Sequence, residues 1–503
     1  MDNFTRHKMN KHIFKAMLCT ALAVPTLVSC ELDQFPETSL STEQLWTEVT
    51  DAEKFDVGLL ACLRSVATGG YGVVADVQSD LFNMTSKSTA YFQVTSWQFT
   101  TAQFEGDGLW SSSYNMIANA NNVINNIDRL NDKVAGSKED STMLKQFKAD
   151  AYFARAYGYA SMVTRYCKNY DAATAESTLG LPLVYTVDVL TKPNRASLAK
   201  TYEQILADLK EAETCFGENT DIMPSRPSIH TVHALRARVY LQMKRYQDAI
   251  NEAKKVMAVF PLIDNADDFA NMWYMDEGSE IIYQPTFTPD ERAATYGAFI
   301  GYDIVNDCFS CSYLPTQGLL DLYEADDYRF SAYFIPATVS SGVQVVDATA
   351  VGKFPGNPTL LKTGDVEGQT FYNMTKAFRV AEMYLIAAEA QYNLNQTEGG
   401  FLNELRQKRG ASAIKATGEA LFQEIKNEWA REMCGEGFRL DCLKRWEKGF
   451  SRMPAQQLED GFLNKQPGFQ NLTVDADNFR FVWEIPIQDL QANKNLETNW
   501  PKN

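Results

Sequence analysis

The sequence predicts a mainly α-helical protein whose helices form antiparallel pairs, interrupted by one irregular, loop-rich region with a few short strands. Three observations lead there. Apolar residues recur with helical period through most of the chain, one segment falls into the register of a tetratricopeptide repeat, and the stretch from Asp264 to Asn373 lacks any such period.

The helices can be taken in order. Phe147 to Tyr166 carries a helical apolar stripe. Thr201-Tyr-Glu-Gln204 has the form of a capping box, and Tyr202, Ile205, Leu209 and Ala212 then share one face. Leu421, Ile425, Trp429 and Met433 line a further helix. Pro and Gly punctuate the segments between them. From His233 to Pro261 the register is that of a helix pair. Ala237 takes the small position of the first helix and Tyr240 its aromatic position. Ala249, Ala253 and Val256 line the second helix, and Pro261 ends it. Small residues let the two helices approach while Tyr240 fills the groove between them. Arg379 to Leu394, with Ala387, Ala388 and Ala390, begins a second, degenerate repeat. Such pairs either mediate contacts with other proteins or simply pack. Within the loop-rich region, Glu280-Ile-Ile-Tyr-Gln and Val343-Gln-Val-Val read as short strands.

The first 29 residues read as an export signal. Arg6, Lys8, Lys11 and Lys15 precede an apolar run from Ala16 to Val28 that is too short for a permanent membrane span. Leu27-Val28-Ser29-Cys30 resembles the bacterial lipobox, which makes Cys30 the lipid-bearing first residue of a membrane-anchored, non-spanning protein. Losing the leader removes four basic residues and one acidic one, so the formal charge moves from −17 to −20. A surface this acidic is unsuited to nucleic acid or to polybasic attachment to anionic lipid.

Histidine usage excludes several chemistries. Only His230 and His233 lie beyond the leader, and neither has a nearby Cys or His cluster to complete a metal shell. A surface or capping role is expected of both, with no metal or cofactor. No Gly-x-Ser-x-Gly elbow accompanies them. Beyond the leader, the seven scattered cysteines besides Cys30 do not make a disulfide framework, and Cys308 and Cys311 are read as a local disulfide or as two buried thiols. Glu432, Glu436 and Asp441 suggest a carboxylate pair for glycosidic cleavage. Arg431, Arg439, Lys444 and Arg445 are interleaved with them, so mutual ion pairing is the expectation and catalysis is not.

Several fragments stand in order along the chain. They are Leu32-Asp33 with Pro36 and Trp46; Trp110, Tyr114, Ile117 and Asn119-Ala-Asn-Asn-Val-Ile; Arg155-Ala-Tyr-Gly-Tyr; Leu181-Pro-Leu-Val; and Arg195-Ala-Ser with Asp208. The second half adds Arg379 to Ala390, Leu402 to Ala411, Arg431 to Asp441 with Lys444-Arg-Trp446, and Ile485-Pro-Ile with Asn493 and Asn495. In this order they resemble the SusD/RagB family of outer-membrane nutrient-binding lipoproteins. One departure is Ala430, where the family carries Glu before Arg431, and Glu428 is placed to compensate. The resemblance implies a SusD-like fold with an N-terminal region over 30–263 and a C-terminal region with ligand-binding loops over 264–503. It also implies a non-catalytic, surface-facing lipoprotein of the outer membrane that captures oligosaccharide, or peptide in the RagB branch. The implied partner is a SusC-like TonB-dependent transporter, faced by the helix pairs.

Sugar rings stack on flat aromatic faces while their hydroxyls need polar side chains at the rim. Two stretches outside the repeats have that composition. The first holds Tyr71, Asp76, Asp80, Asn83, Tyr91, Phe92 and Trp97; the second holds Tyr296, Phe299, Tyr302, Asp303, Asn306, Phe309 and Tyr313. Tyr71, Tyr91, Phe92, Trp97, Tyr296, Phe299, Tyr302, Asn306 and Tyr313 are the candidate ligand contacts, and each competes with a place in the core.

Overall fold

The computed structural model describes residues 45–101, 108–188, 190–396 and 399–501, and Trp46–Asn503 forms one compact unit. Cys30 lies outside the described residues. The unit is mainly helical, with short strands confined to small sheets.

The first layer packs helices Val49–Thr68, Gly108–Asn126, Lys138–Tyr166 and Leu198–Phe216 side by side. Glu48 and Asp51 close a reciprocal box at the start of Val49–Thr68, and Ser137 caps Lys138–Tyr166 by accepting from the amide of Asp140. Arg155 then ties three helices together. Its guanidinium donates to both oxygens of Asp208 at 2.6 and 2.9 Å and to Asn121 Oδ1 at 2.8 Å, in a site closed to solvent. The capping-box expectation at Thr201 is corrected. The helix starts four residues earlier because Ser197 accepts from the amide of Lys200, and Thr201 is buried with its hydroxyl donating to the carbonyl of Ser197.

The repeat-like pair is present as helices Ile229–Gln242 and Tyr246–Met257. Ala237, Ala249, Ala253 and Val256 are fully buried, as the register requires. Tyr240 differs: it is half-buried, with the Arg245 guanidinium over its ring at 4.2 Å. His230 and His233 also depart from a surface role. His230 is buried against Phe260 with Nε2 on the carbonyl of Thr220, and His233 Nδ1 lies 2.7 Å from Glu252. Among the described residues no cluster of His, Cys, Asp or Glu suits a metal ion.

The second helix of this pair packs against Val380–Asn393, which is buried continuously from Val380 to Ala390 and so forms the core helix of the second half. Helices Gly400–Lys408 and Gly418–Glu432 pack on it in turn. Glu428, two residues before Ala430, binds Arg431 at 2.6 Å.

The loop-rich region supplies most of the strands. Ile281–Tyr283 pairs with Phe378–Arg379, and a four-stranded sheet runs in the order Gly301–Asp303, Cys308–Ser310, Phe334–Ser340, Val345–Val351. Its last strand begins at Val345 and not Val343, since Ser341 to Gln344 forms the turn and Gly342 takes a positive φ of 85°. Cys308 and Cys311 are both buried free thiols, and burial pushes Cys311 up to about 12. The boundary at 263/264 is crossed by an antiparallel pairing of Phe82–Met84 with Tyr313–Pro315.

A buried ion lattice holds the second half. Glu432 receives guanidinium groups from Arg329 (2.8 Å), Arg409 (3.0 Å) and Arg379. Arg409 also reaches Glu280 at 2.8 Å, while Arg329 reaches Asp327 at 2.6 Å and Glu428 at 2.5 Å. Arg379 and Lys353 each meet Glu436 at 2.7 Å. The acids are thus ion-paired, but not with the basic residues beside them in sequence. Arg439 instead binds Asp80 at 2.8 Å, Arg445 binds Glu389 at 2.7 Å, and Asp441 is held by Arg165 at 2.6 Å. Lys444 donates to the carbonyls of Thr164 and Cys167. Backbone direction places those neighbouring cations on other faces.

Removing one member of such a lattice leaves the others buried without compensation. Glu432→Ala is therefore expected to cost about 3–5 kcal/mol, measured by urea unfolding. A pH series gives a second check. Burial pushes the Glu428 carboxyl up, but Arg329, Arg431 and Arg406 outweigh it and hold it at about 2. A depressed carboxyl stabilises the fold above its ordinary value of 4.5, and that stability is lost as pH falls through about 2. Glu428→Gln should flatten the fall in Tm between pH 4.5 and 2.

Candidate ligand groove

Two consecutive glycines set the geometry of the site. Helix Val49–Thr68 ends at Gly69, and Gly70 leads into the short helix Tyr71–Val77. A Cβ on Gly69 would lie 1.9 Å from the Tyr71 ring, and one on Gly70 would lie 2.9 Å from the Tyr91 hydroxyl. Only glycine lets both tyrosines close over the helix end. The Tyr71 hydroxyl donates to the carbonyl of Ser65 at 2.7 Å, pinning its ring. Tyr91 sits in a left-handed turn at φ 56°.

Around this corner lies an open groove of about 460 Å³. Ala61, Arg64, Ser65 and Thr68 line one wall, Tyr91 another, and Phe287, Glu291 and Thr295 the third. Arg64 donates to Glu291 and to the carbonyl of Thr286, both at 3.0 Å, and lies 5.9 Å from the Phe287 ring. The guanidinium holds Glu291 below its ordinary value. The Thr295 hydroxyl donates to the carbonyl of Thr68 at 3.0 Å, which clamps the third wall to the first. One half-buried aromatic ring, a charged pair and several hydroxyls thus face the same open space.

Of the candidate contacts, the structure brings Tyr91 into this groove and places Tyr71 directly behind the two glycines. Phe92 is half-buried on the other side of the turn, its ring 4.7 Å from Phe469. Tyr302 and Asn306 lie on a separate hairpin, where Tyr302 donates to Asp307 and Asn306 Nδ2 donates to Asp303. The rest are core. Trp97 donates to the carbonyl of Gln78 at 2.7 Å and packs edge-on against Phe481; Tyr296 stacks on Phe354 at 3.5 Å. Phe299 and Tyr313 are fully buried, with Tyr313 donating to the carbonyl of Ala90 at 2.6 Å. Asp76 and Asp80 are structural too. Asp76 accepts from the amides of Gly437 and Arg439, and its burial raises it to about 7 against those bonds. The sequence reading missed Arg64, Phe287 and Glu291. Arg64 and Glu291 lie 227 residues apart and carry no shared motif.

Two comparisons of sequence bear on the chain. A family described as "Starch-binding associating with outer membrane" matches residues 39–241, and the SusD family matches residues 351–501. SusD-like protein P25 of Formosa agariphila is 22% identical, covering 92% of this chain and 94% of its own length. Among solved structures, a SusD superfamily protein of Bacteroides thetaiotaomicron superposes with a TM-score of 0.73 at 22% identity, over 90% of this chain and all of the other. A laminarin-binding SusD-like protein superposes with a TM-score of 0.67 at 19% identity, over 90% of this chain and 99% of its own.

The glycine corner can be tested by stability. Gly69→Ala should drive its Cβ into the pinned Tyr71 ring and cost about 1–3 kcal/mol, read as a fall in Tm. Gly58→Ala, inside the preceding helix with open space around it, should be neutral or slightly stabilising.

Proposed function

We propose, on the premise that this chain belongs to the SusD/RagB family, that it is a non-catalytic glycan-capture lipoprotein. In this reading Cys30 carries the lipid that tethers the protein to the outer face of the outer membrane. Captured oligosaccharide passes to a SusC-like TonB-dependent transporter, against which the helix pairs dock.

The observation that carries the reading is the groove at Tyr91. Its aromatic wall suits the apolar face of a pyranose, and Arg64, Glu291, Ser65 and Thr295 offer donors and acceptors to the hydroxyls. The family's description as starch-binding and the laminarin-binding relative support a glycan over other small molecules. The carboxylates whose spacing suggests hydrolysis are engaged elsewhere: Glu432, Glu436 and Asp441 are each held by buried or half-buried cations. That arrangement lowers Glu432 and Glu436 below their ordinary values, the opposite of what a general acid needs.

Calorimetry of the protein in detergent against α- and β-glucan oligosaccharides and a peptide panel tests the proposal. Glycan binding without release of reducing ends is expected, and Tyr91→Ala should weaken it about tenfold. Binding confined to peptides, or release of new reducing ends, would overturn it.

A further inference from the structure

Far from this groove in sequence, a second cleft of about 410 Å³ is lined by Phe99, Thr100, Phe479, Arg480, Glu484 and Trp500. Among the described residues Arg480 differs from the other buried and half-buried arginines, which are met by carboxylates or saturated by carbonyls. Its Nε donates to the carbonyl of Phe99 at 3.0 Å. Its two terminal nitrogens have no partner among the described residues. The one acid in the cleft wall among the described residues is unavailable, because Glu484 accepts from the amides of Ile485, Asn499 and Trp500, each at 2.8 Å. Burial lowers Arg480 below its ordinary value, and no acid among the described residues offsets it.

The guanidinium is also held in place. It lies 4.6 Å from the Phe479 ring, 5.7 Å from Phe99 and 5.9 Å from Trp500. Phe479 and Trp500 meet edge to face at 5.6 Å, and 39% of Phe479 remains exposed. Trp500 is fixed by donating its Nε1 to the carbonyl of Val482 at 2.7 Å, and Asn478 caps the turn that presents Phe479 and Arg480. A cation fixed on one nitrogen, flanked by three aromatic rings and left with an open fork, is arranged for a planar or tetrahedral anion carried on a ring with an apolar face.

We propose that this cleft binds an anionic pyranose, either a uronate or a sulfate ester. The sugar ring rests on Phe479 and Trp500, and its anion takes the free fork of Arg480. The strongly acidic surface of the protein repels anions in general, so a single uncompensated, pre-positioned guanidinium confers selectivity for a ligand that brings both features. The site shares no residue with the groove at Tyr91, so failure of either leaves the other standing.

The test is calorimetric titration of the protein in detergent with four probes: an oligogalacturonate, a sulfated galactan oligosaccharide, a neutral galactan of equal length, and inorganic sulfate. At least one acidic oligosaccharide should bind about tenfold or more tightly than the neutral one and than sulfate, and weaken as salt rises. Which of the two binds assigns carboxylate or sulfate ester. Arg480→Gln should abolish the preference, Arg480→Lys should restore part of it, and Phe479→Ala should weaken the acidic sugar while its thermal midpoint stays near that of the parent. Equal affinity for neutral and acidic oligosaccharides, equal affinity for inorganic sulfate, or an acidic preference that survives Arg480→Gln would each overturn the proposal.

Discussion

The fold of the second half depends on one carboxylate. Glu432 lies in the interior and gathers Arg329, Arg379 and Arg409, which come from a short helix, a strand and a helix end. Desolvating so many charges is costly, and the cost is recovered only when every member is in place. The lattice therefore acts as a geometric check on the loop-rich region. A segment with little regular secondary structure adopts one conformation because any other would strand a buried guanidinium. The apolar cluster around Trp273, Tyr296, Phe299 and Phe354 packs beside that lattice, with Lys353 and Lys376 over the Trp273 ring.

The helical half of the fold was largely legible in the sequence. Periodicity and small residues at Ala237, Ala249 and Ala253 encode helix pairing locally, because the spacing of the pattern is the spacing of the contacts. Glu428 and Arg431, one turn apart, were legible for the same reason. The partners of Glu432 were not: Arg329 is 103 residues away, and nothing in the neighbourhood of either residue announces the other. Nearby Arg439 and Arg445 looked better placed and proved to serve Asp80 and Glu389.

The candidate groove shows the same division. Aromatic composition marked two stretches, yet it could not distinguish an aromatic that faces solvent from one that fills the core. Trp97 and Tyr296 stood among polar neighbours in sequence and are buried through backbone carbonyls and ring stacking. What separates Tyr91 from them is the adjacent Gly69–Gly70 corner, since Trp97 shares its left-handed backbone and is nevertheless buried. Arg64 and Glu291 meet only in three dimensions.

The pairing of Asp80 with Arg439 spans 359 residues, and the strand Phe82–Met84 needs Tyr313–Pro315 from the far half of the chain. Such contacts give the protein a high contact order, so much of the chain must be present before its early segments find their places. During synthesis, Asp80 and the strand edge beside it emerge long before Arg439 exists. The early helices have local partners and can form, but the corner carrying Tyr91 has only half its walls. Completion of this groove is thus a late event in the life of each molecule, reached when Phe287, Glu291 and Thr295 from the second half of the chain close over the first.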